Sequence, residues 1–357
     1  MTKMYLAMAQ ELLVANDKNG SWRADARLEG LRPVSLAADP LRSGRIYCGT
    51  WGRGLWRSED AGDSWRPIGD PVTDWTLSSF RDGIPHPHVT AVAVSATESA
   101  NGLGVVYAGT EPSALFRSED GGETWRELRE LRELPSAPEW SFPPRPHTSH
   151  VRWISPDPSA EGYLYVSIEA GAVVRSADGG ESWEDRRPEG PLDAHTLSTH
   201  PSAPGRLYAA AGDGMMREGT GYAESPDGGD TWTKPDEGLA HHYLWGVAVD
   251  PADPETVLVS AARGAGPAHN PSAAESAVYC RTADGPWRKT DEGLPEDRGT
   301  LVPVLATNPA EHGAFYALSN RGVHRSADAG LSWEELGLPW SESYLGQRHQ
   351  ALLVVGA

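Results

Sequence analysis

One short motif recurs along the chain and limits what it can fold into. It reads Ser/Thr-x-Asp-x-Gly-x-Ser/Thr-Trp, and five full copies end at residues 65, 125, 183, 232 and 333. Two degenerate copies are VANDKNGSW at 14–22 and RTADGPW at 281–287, the second shortened by two residues. Successive motif tryptophans are 43 to 60 residues apart, and the interval from Trp333 through the two chain ends to Trp22 lies in the same range. Seven such units indicate a closed repeat architecture.

The motif has the composition of a tight turn between two strands. Asp and hydroxyl side chains accept hydrogen bonds from nearby backbone N–H groups, which replace the ladder that a turn interrupts. Glycine adopts a positive φ at little steric cost, and the tryptophan anchors the hairpin by burying a large flat surface. Seven of the 14 tryptophans belong to this motif, so they indicate architecture rather than a binding surface.

Each repeat is predicted to contain four strands. In the first complete repeat these are 34–38, 45–50, 55–58 and a strand that begins at Trp65, and their alternation suits half-buried strands. The N-terminal segment MYLAMA has no inner strand before it, and the segment 349–357 has no partner after it. We expect 349–357 to complete the blade begun by residues 4–28, because joining the two ends removes exposed edges.

The repeated motif resembles the Asp-box, or BNR repeat, of the sialidase-like β-propellers, and the resemblance covers essentially the whole chain. It implies an all-β fold: a seven-bladed β-propeller of four-stranded antiparallel blades, with the ring closed by the C-terminal strand joining the N-terminal blade. A single domain, 1–357, is expected. Its Asp-box turns are expected near 15–22, 58–65, 118–125, 176–183, 225–232, 282–287 and 326–333. In that family the boxes lie on the outer rim, away from the active site.

The charge excludes several kinds of partner. The chain has 31 Lys and Arg against 50 Asp and Glu, a formal net charge of −19. A surface this acidic repels phosphate backbones and anionic lipids, so neither nucleic acid nor a membrane is expected as a partner. The 2 cysteines cannot form a disulfide framework, and no signal-peptide core or transmembrane segment is seen. A cytoplasmic protein is expected, and a chain from which a leader has been removed is the alternative.

Inserted length is concentrated in connections that should open on one face of such a ring. The long connections between blades are 66–88, 126–150 and 334–349, and those within blades are 211–222 and 261–277. Long loops on one side of a rigid scaffold are where binding sites are usually built. The alternative is neutral variation of surface loops.

A histidine stands at the entrance of an inner strand in five predicted blades. The five are His88, His150, His195, His242 and His349. Imidazole is a common ligand of transition metals, so converging rings at the axis predict a divalent transition metal as cofactor. The competing interpretation is that these histidines cap strand ends or hydrogen-bond loops.

Carboxylates supply the candidate catalytic residues. Glu111 and Glu169 occupy matching positions, at the ends of the second strands of adjacent repeats. Two carboxylates that face one cleft can divide acid and base roles, as glycoside cleavage requires. Arg32, at the entrance of the first complete repeat, is the third candidate. The alternative is that the glutamates only solvate a turn.

Aromatic side chains in the same loops are candidate substrate-binding residues. They are Trp51, Trp75, Trp140, Tyr243 and Trp340. Aromatic faces beside acidic groups suit sugar rings or other polar rings. Long loops also need apolar anchors to stay ordered, which is the other interpretation of these residues.

The sequence lacks the motif of the best-known activity of the resembled family. Sialidases carry a Phe/Tyr-Arg-Ile-Pro motif, whereas this chain has Gly30-Leu31-Arg32-Pro33, so a true sialidase is not expected. The chain is closer to single-domain, glycosyl-hydrolase-like BNR proteins. The favoured hypothesis is an enzyme with an axial pocket that hydrolyses or eliminates from a glycoside-like or other polar small molecule. The alternative is a noncatalytic β-propeller that binds a ligand or a protein partner, as similar assembly factors do.

Overall fold

The computed structural model describes residues 2–18, 20–69 and 83–356. Trp75 lies outside the described residues. The chain divides into two compact units: a central unit, Leu28–Asp193, and a terminal unit, Met1–Arg27 together with Ala194–Ala357. The one α-helix within the described residues is α1, Ala265–His269, so no described helix is long and apolar enough to cross a membrane.

The first three strands of the terminal unit are consecutive, antiparallel and part of one sheet. They are β1 (Lys3–Met8), β2 (Leu12–Lys18) and β3 (Ser21–Arg27). The residues of β1 are almost all buried, whereas exposed and half-buried residues alternate along most of β3. This change from inner to outer strand is expected when one edge of a sheet lies in a core and the other meets solvent.

The central unit contains three antiparallel sheets. The first is β4 (Pro33–Ala38), β5 (Ile46–Thr50), β6 (Leu55–Ser58) and β7 (Arg66–Ile68). The second is β8 (His88–Ala100), β9 (Leu103–Glu111), β10 (Leu115–Ser118) and β11 (Arg126–Glu127). The third is β12 (Val151–Pro156), β13 (Leu164–Ile168) and β14 (Ala172–Ser176).

The terminal unit adds three sheets and one closing strand. The first of these sheets is β15 (Ala194–Thr199), β16 (Leu207–Ala211) and β17 (Tyr222–Ser225). The second is β18 (Tyr243–Asp250), β19 (Asp253–Ala262), β20 (Ser276–Thr282) and β21 (Arg288–Thr290). The last sheet is β22 (Val304–Thr307), β23 (Phe315–Ser319), β24 (Gly322–Ser326) and β25 (Glu334–Glu335). The closing strand is β26 (His349–Val355).

These seven sheets are the blades of a seven-bladed β-propeller, so the predicted fold class is confirmed. Two blades depart from the four-stranded pattern, because their outermost strand is reduced to a single bridge, Arg175↔Glu184 in one and Glu224↔Thr233 in the other. A proline follows shortly after each bridge, at Pro188 and Pro235. Proline has no N–H to donate, which restricts the length of an outer strand.

The C-terminal strand completes the N-terminal blade. β26 pairs antiparallel with β1, with Leu6 opposite Leu352 and Met4 opposite Val354, and the sheet order is β26-β1-β2-β3. The predicted closure is therefore confirmed. Leu352 and Val354 are buried in one apolar cluster with Met4 and Leu6.

The eight-residue motif forms the same turn in each full copy through the hydrogen bonds of its Ser, Asp, Gly and second hydroxyl residue, and is called the repeat turn below. In the first copy, the hydroxyl of Ser58 accepts from the N–H of Gly62 at 2.7 Å. The carboxylate of Asp60 accepts from the N–H and the hydroxyl of Ser64 at 2.8 and 2.6 Å. The indole N–H of Trp65 donates to the carbonyl of Gly62 at 3.1 Å. The side chains of Ser58, Asp60 and Ser64 therefore find hydrogen-bond partners within the turn itself.

Buried tyrosines on the second strand of several blades link each core to neighbouring backbone or side chains. Tyr47 donates its hydroxyl to the carbonyl of Gly121, and Tyr208 donates to the carbonyl of Pro254. Tyr107 and Tyr316 donate to Glu98 and Glu311. Tyrosine suits this position because its ring fills the core while its hydroxyl satisfies a polar group at the edge.

The charge on Asp60 is expected to stabilise its repeat turn. The hydroxyl and N–H of Ser64 and the hydroxyl of Ser58 lower the pKa of Asp60 to about 2. A carboxyl with a depressed folded-state pKa contributes stability above its unfolded pKa of about 4, and that contribution is lost as the pH falls towards about 2. We therefore expect Asp60→Asn to lower the free energy of unfolding at pH 7, and the difference from wild type to shrink near pH 2, in urea titrations followed by circular dichroism.

The shortened copy supplies a matched control. Asp284 occupies the equivalent position in RTADGPW but makes no side-chain hydrogen bond to the described residues. Asp284→Asn should leave the free energy of unfolding unchanged at both pH values. Equal losses in the two variants would show that the hydrogen-bonded turn is not the source of the effect.

A second prediction concerns the closing strand. Leu352 is buried in the core of the closed blade, whereas its neighbour Leu353 points to the other, half-buried face. Leu352→Ala should lower the free energy of unfolding by about 2–3 kcal/mol, the usual cost of a cavity at a buried leucine, and Leu353→Ala should cost clearly less. Thermal and urea unfolding of the two variants measure this, and an equal loss would contradict the observed register.

Candidate functional site

Two glutamates predicted from the repeat register lie on either side of one histidine in the central unit. Glu111 ends β9, Glu169 directly follows β13, and His150 directly precedes β12. Nε2 of His150 lies 2.8 Å from Oε2 of Glu169, and Nδ1 lies 3.5 Å from Oε2 of Glu111. The imidazole therefore occupies the space between the two carboxylates.

Two arginines balance the charge of these carboxylates. Arg145 binds Glu111 with both ends of its guanidinium, Nε to Oε1 at 2.9 Å and Nη2 to Oε2 at 2.6 Å. Nε of Arg152 lies 3.4 Å from Oε2 of Glu169. The hydrogen bonds from Arg145 to Glu111 raise the pKa of Arg145, which remains charged under all ordinary conditions. This paired arrangement of charges is the form in which buried carboxylates are tolerated.

Aromatic rings surround the guanidinium of Arg145. Its Cζ lies 4.7 Å from the ring centroid of Trp51 and 4.7 Å from that of Phe142. His88 stacks on Trp51 with centroids 4.4 Å apart, and Phe142 meets His150 edge-on at 4.9 Å. A planar cation near aromatic faces loses little freedom when it binds, because its orientation is already restricted. We call Trp51, Glu111, Arg145, His150 and Glu169 the Arg145 site.

The exposed part of the Arg145 site is cationic. The side chains of Glu111 and His150 are only 7% and 8% exposed, whereas that of Arg145 is 37% exposed. Arg32 is also exposed, with its Cζ 5.9 Å from the ring centroid of Trp51. Arg32 has no carboxylate partner among the described residues. A ligand approaching from solvent would meet arginine and indole before it met either glutamate.

The connection 126–150 that carries Arg145 is fixed by its own contacts. Ser136 donates both its N–H and its hydroxyl to Asp185, the N–H at 2.8 Å. Trp140 is buried and donates its indole N–H to the hydroxyl of Ser136 at 3.0 Å. These contacts support the interpretation of Trp140 as a loop anchor rather than as a residue that meets a ligand.

The other predicted substrate-binding aromatics in the terminal unit are likewise bonded to protein. Tyr243 is buried, and its hydroxyl lies 3.0 Å from Nε2 of His269. Trp340 is half-buried, donates to the carbonyl of Asn320 at 2.9 Å and meets Tyr344 edge-on. Trp75 lies outside the described residues, and Trp51 is the described aromatic candidate that contacts Arg145, the partner of Glu111.

The five candidate metal ligands make different local contacts. In the terminal unit, Nδ1 of His195 lies 2.6 Å from the carbonyl of Leu244, and Nε2 of His349 lies 2.7 Å from that of Val302. Burial lowers the pKa of His349 to about 4, so its ring is neutral at pH 7. His242 is half-buried, and in the central unit His88 stacks on Trp51. The carbonyl bonds support the strand-capping alternative for His195 and His349, and metal binding remains a prediction that elemental analysis of the purified protein can test.

Sequence reasoning missed the two arginines that pair with the glutamates. Arg145 lies in a connection with no repeat register, within Pro143-Pro144-Arg145-Pro146, so nothing placed it opposite Glu111. Arg152 is in β12, two residues after His150, and alternation along a strand predicts that both side chains point to one face. That alternation was the available signal for Arg152.

The pairing of Arg145 with Glu111 gives a stability prediction. Arg145→Met leaves a buried carboxylate without its counter-ion and should lower the free energy of unfolding at pH 7 by about 2 kcal/mol, because Arg145 is partly screened by solvent. Adding Glu111→Gln should recover most of that loss, so the double-mutant cycle measured by urea titration should show strong coupling.

Arg126 supplies the control for that prediction. It pairs with Glu181 at 2.6 Å, and both side chains are exposed. Arg126→Met should cost well under about 1 kcal/mol, as exposed ion pairs do. Similar losses at Arg126 and Arg145, or additive effects at Arg145 and Glu111, would contradict the buried pair.

The fold has known structural relatives. A GH74 enzyme from Niastella koreensis superposes with a TM-score of 0.66 at 17% identity, over 91% of this chain and 51% of that chain. The GH74 xyloglucanase from Xanthomonas campestris gives 0.63 at 16% identity, over 92% and 51%. The chain thus spans about half the length of these two enzymes. YCF48 bound to D1 peptide gives 0.56 at 15% identity, over 91% and 93%.

No protein-family profile and no curated protein matches the sequence. At these identities the superpositions establish the fold alone. These relatives include propeller enzymes and a propeller bound to a peptide. The chain is therefore similar in fold to GH74 enzymes and to YCF48.

Proposed function

We propose that this chain is a noncatalytic, ligand-binding propeller of the BNR/Asp-box type, and that the Arg145 site recognises a small polar ligand with an anionic group. The observation that carries the proposal is the pair of arginines beside Trp51, of which Arg32 has no carboxylate partner among the described residues. The formal charge of the chain is −19, yet no described carboxylate pairs with Arg32. Arginine binds carboxylates and phosphates in a defined geometry.

The buried residues of the site favour binding over catalysis. A general acid or base must come within hydrogen-bond reach of the reacting group. Nδ1 of His150 is buried, and the guanidinium of Arg145 occupies both oxygens of Glu111. The imidazole also fills the space that a sugar and a water would need between two catalytic carboxylates. The Glu111–His150–Glu169 row is therefore assigned the role of holding Arg145 and its loop in position.

A matched pair of sugars tests the proposal. Methyl glucuronide and methyl glucoside differ in a carboxylate, so the first should bind and the second should bind at least about tenfold more weakly, as a charged hydrogen bond predicts. Arg32→Met should weaken glucuronide binding roughly threefold to tenfold in calorimetric titrations, because it removes one of the two cations.

Arg217→Met is the control for this test, because Arg217 is exposed and belongs to the terminal unit. It should leave glucuronide affinity unchanged. Equal binding of the two sugars, or equal effects of the two arginine variants, would overturn the proposed anion site. Inorganic phosphate as a third probe distinguishes a requirement for charge from a requirement for the sugar.

A second candidate is the enzyme predicted from the sequence, with Glu111, Glu169 and Arg32 as catalytic residues. The specific observation in its favour is the 2.8 Å contact between His150 and Glu169, since a carboxylate that orients an imidazole is a common arrangement in proton transfer. Release of nitrophenol from 4-nitrophenyl glycosides and glucuronides measures it. Activity that His150→Gln and Glu169→Gln abolish, with folding intact, would favour the enzyme over the binding propeller.

A further inference from the structure

Two departures from the repeat meet at one groove of the terminal unit. The shortened copy 281–287 lacks two residues of the repeat turn, and the last full copy carries Leu331 where the other four carry an acidic residue. Those acidic residues are Asp63, Glu123, Glu181 and Asp230. Leu331 and residues of the shortened copy, Gly285 and Pro286, line the same groove, which has a volume of about 270 Å³.

Residues beneath the groove are joined by hydrogen bonds. Thr290 donates its hydroxyl to the carbonyl of Gly330 and accepts from the indole N–H of Trp333 at 3.0 Å. The thiol of Cys280 lies 3.3 Å from the carbonyl of Ala329. These contacts hold the two neighbouring blades together beneath the groove, so the groove is a preformed feature.

The walls of the groove carry charges of both signs, because Lys289, Asp291 and Glu292 line it together with Arg288. Lys289 is engaged by Asp291 and Asp297, at 3.5 and 2.7 Å. Two other wall residues, Leu331 and Arg288, have no such partner among the described residues. Leu331 is 67% exposed. Arg288 is exposed and has no carboxylate partner among the described residues, although acidic residues outnumber basic ones by 50 to 31. A groove that presents a leucine and an arginine together suits a ligand that carries an apolar and an acidic side chain.

The outer strand of the same blade offers a backbone edge. Arg288 belongs to β21, which is the last strand in the sheet order β18-β19-β20-β21. A second cleft shares Thr290 and Asp291 with the groove and is lined by His324, which is 5% exposed and whose imidazole makes no hydrogen bond to the described residues. An extended peptide laid along an edge strand gains main-chain hydrogen bonds and places alternate side chains into such recesses.

We propose that this groove, between β21 and the last repeat turn, binds an extended segment of a partner protein that combines an apolar side chain with an acidic one. Leu331 packs against the apolar side chain of the segment, and Arg288 pairs with its carboxylate. The edge of β21 forms main-chain hydrogen bonds with the backbone of the segment. This surface lies in the terminal unit and does not depend on the Arg145 site.

A library of random peptides displayed on phage is the first probe. Selection on the wild-type protein, with depletion on the variant Leu331→Asp, should enrich sequences in which an apolar residue neighbours Asp or Glu. Leu331→Asp restores the kind of residue that the other full copies carry, so it is expected to fold. Enrichment of sequences without that pattern, or no enrichment after depletion, overturns the proposal.

One enriched peptide and its Asp/Glu-to-Asn/Gln counterpart then serve as fluorescently labelled probes in anisotropy titrations. Arg288→Glu and Leu331→Asp should each weaken the acidic peptide by about tenfold, whereas Arg23→Glu, an exposed arginine elsewhere in the same unit, should leave its affinity unchanged. The amide counterpart should bind less tightly to wild type and lose its sensitivity to Arg288→Glu.

Two results would overturn the assignment of a peptide partner. The first is equal binding of the acidic and amide peptides with no effect of Arg288→Glu. The second is a concentration-dependent dimer of the wild-type chain in sedimentation that Leu331→Asp converts to a monomer, because the groove would then be covered by a second copy.

Discussion

The hydrogen-bonded repeat turn is the interaction on which this structure depends. Ser, Asp, Gly and Ser or Thr satisfy one another within eight residues, so each hairpin has a fixed geometry before it meets the next blade. In four of the full copies the following tryptophan donates to the glycine carbonyl of its own turn, whereas Trp333 donates to Thr290. Because the hydroxyl and carboxylate groups of each turn bond locally, the connections on the other side of each blade can vary in length without loss of the scaffold.

The repeat register predicted the fold and part of the candidate site. Strand 55–58 was predicted at its observed bounds, and the alignment of strand ends brought Glu111 and Glu169 to matching positions beside His150. Residues outside the register could not be placed in the same way. Arg145 lies in a connection of irregular structure, and its partner is set by how that loop folds back onto the blade.

Residues that look alike in the sequence differ in how deeply the fold buries them. Trp51 and Trp140 both lie in or beside long connections, yet Trp51 is half-buried beside two arginines while Trp140 is an internal anchor bonded to Ser136. Sequence composition records the amount of aromatic surface but not its direction. The same holds for charge, because Glu111 and Arg145 look like solvated loop residues until their pairing is seen.

The pairing of β26 with β1 has a consequence for biosynthesis. β1 is synthesised more than three hundred residues before β26, the strand that pairs with its inner edge. During that interval the apolar strand Lys3–Met8 carries an unpaired edge, which is the kind of segment that associates with other chains or recruits chaperones. The closed blade is therefore a late, long-range event in folding, and its rate should limit how quickly newly made chains escape aggregation.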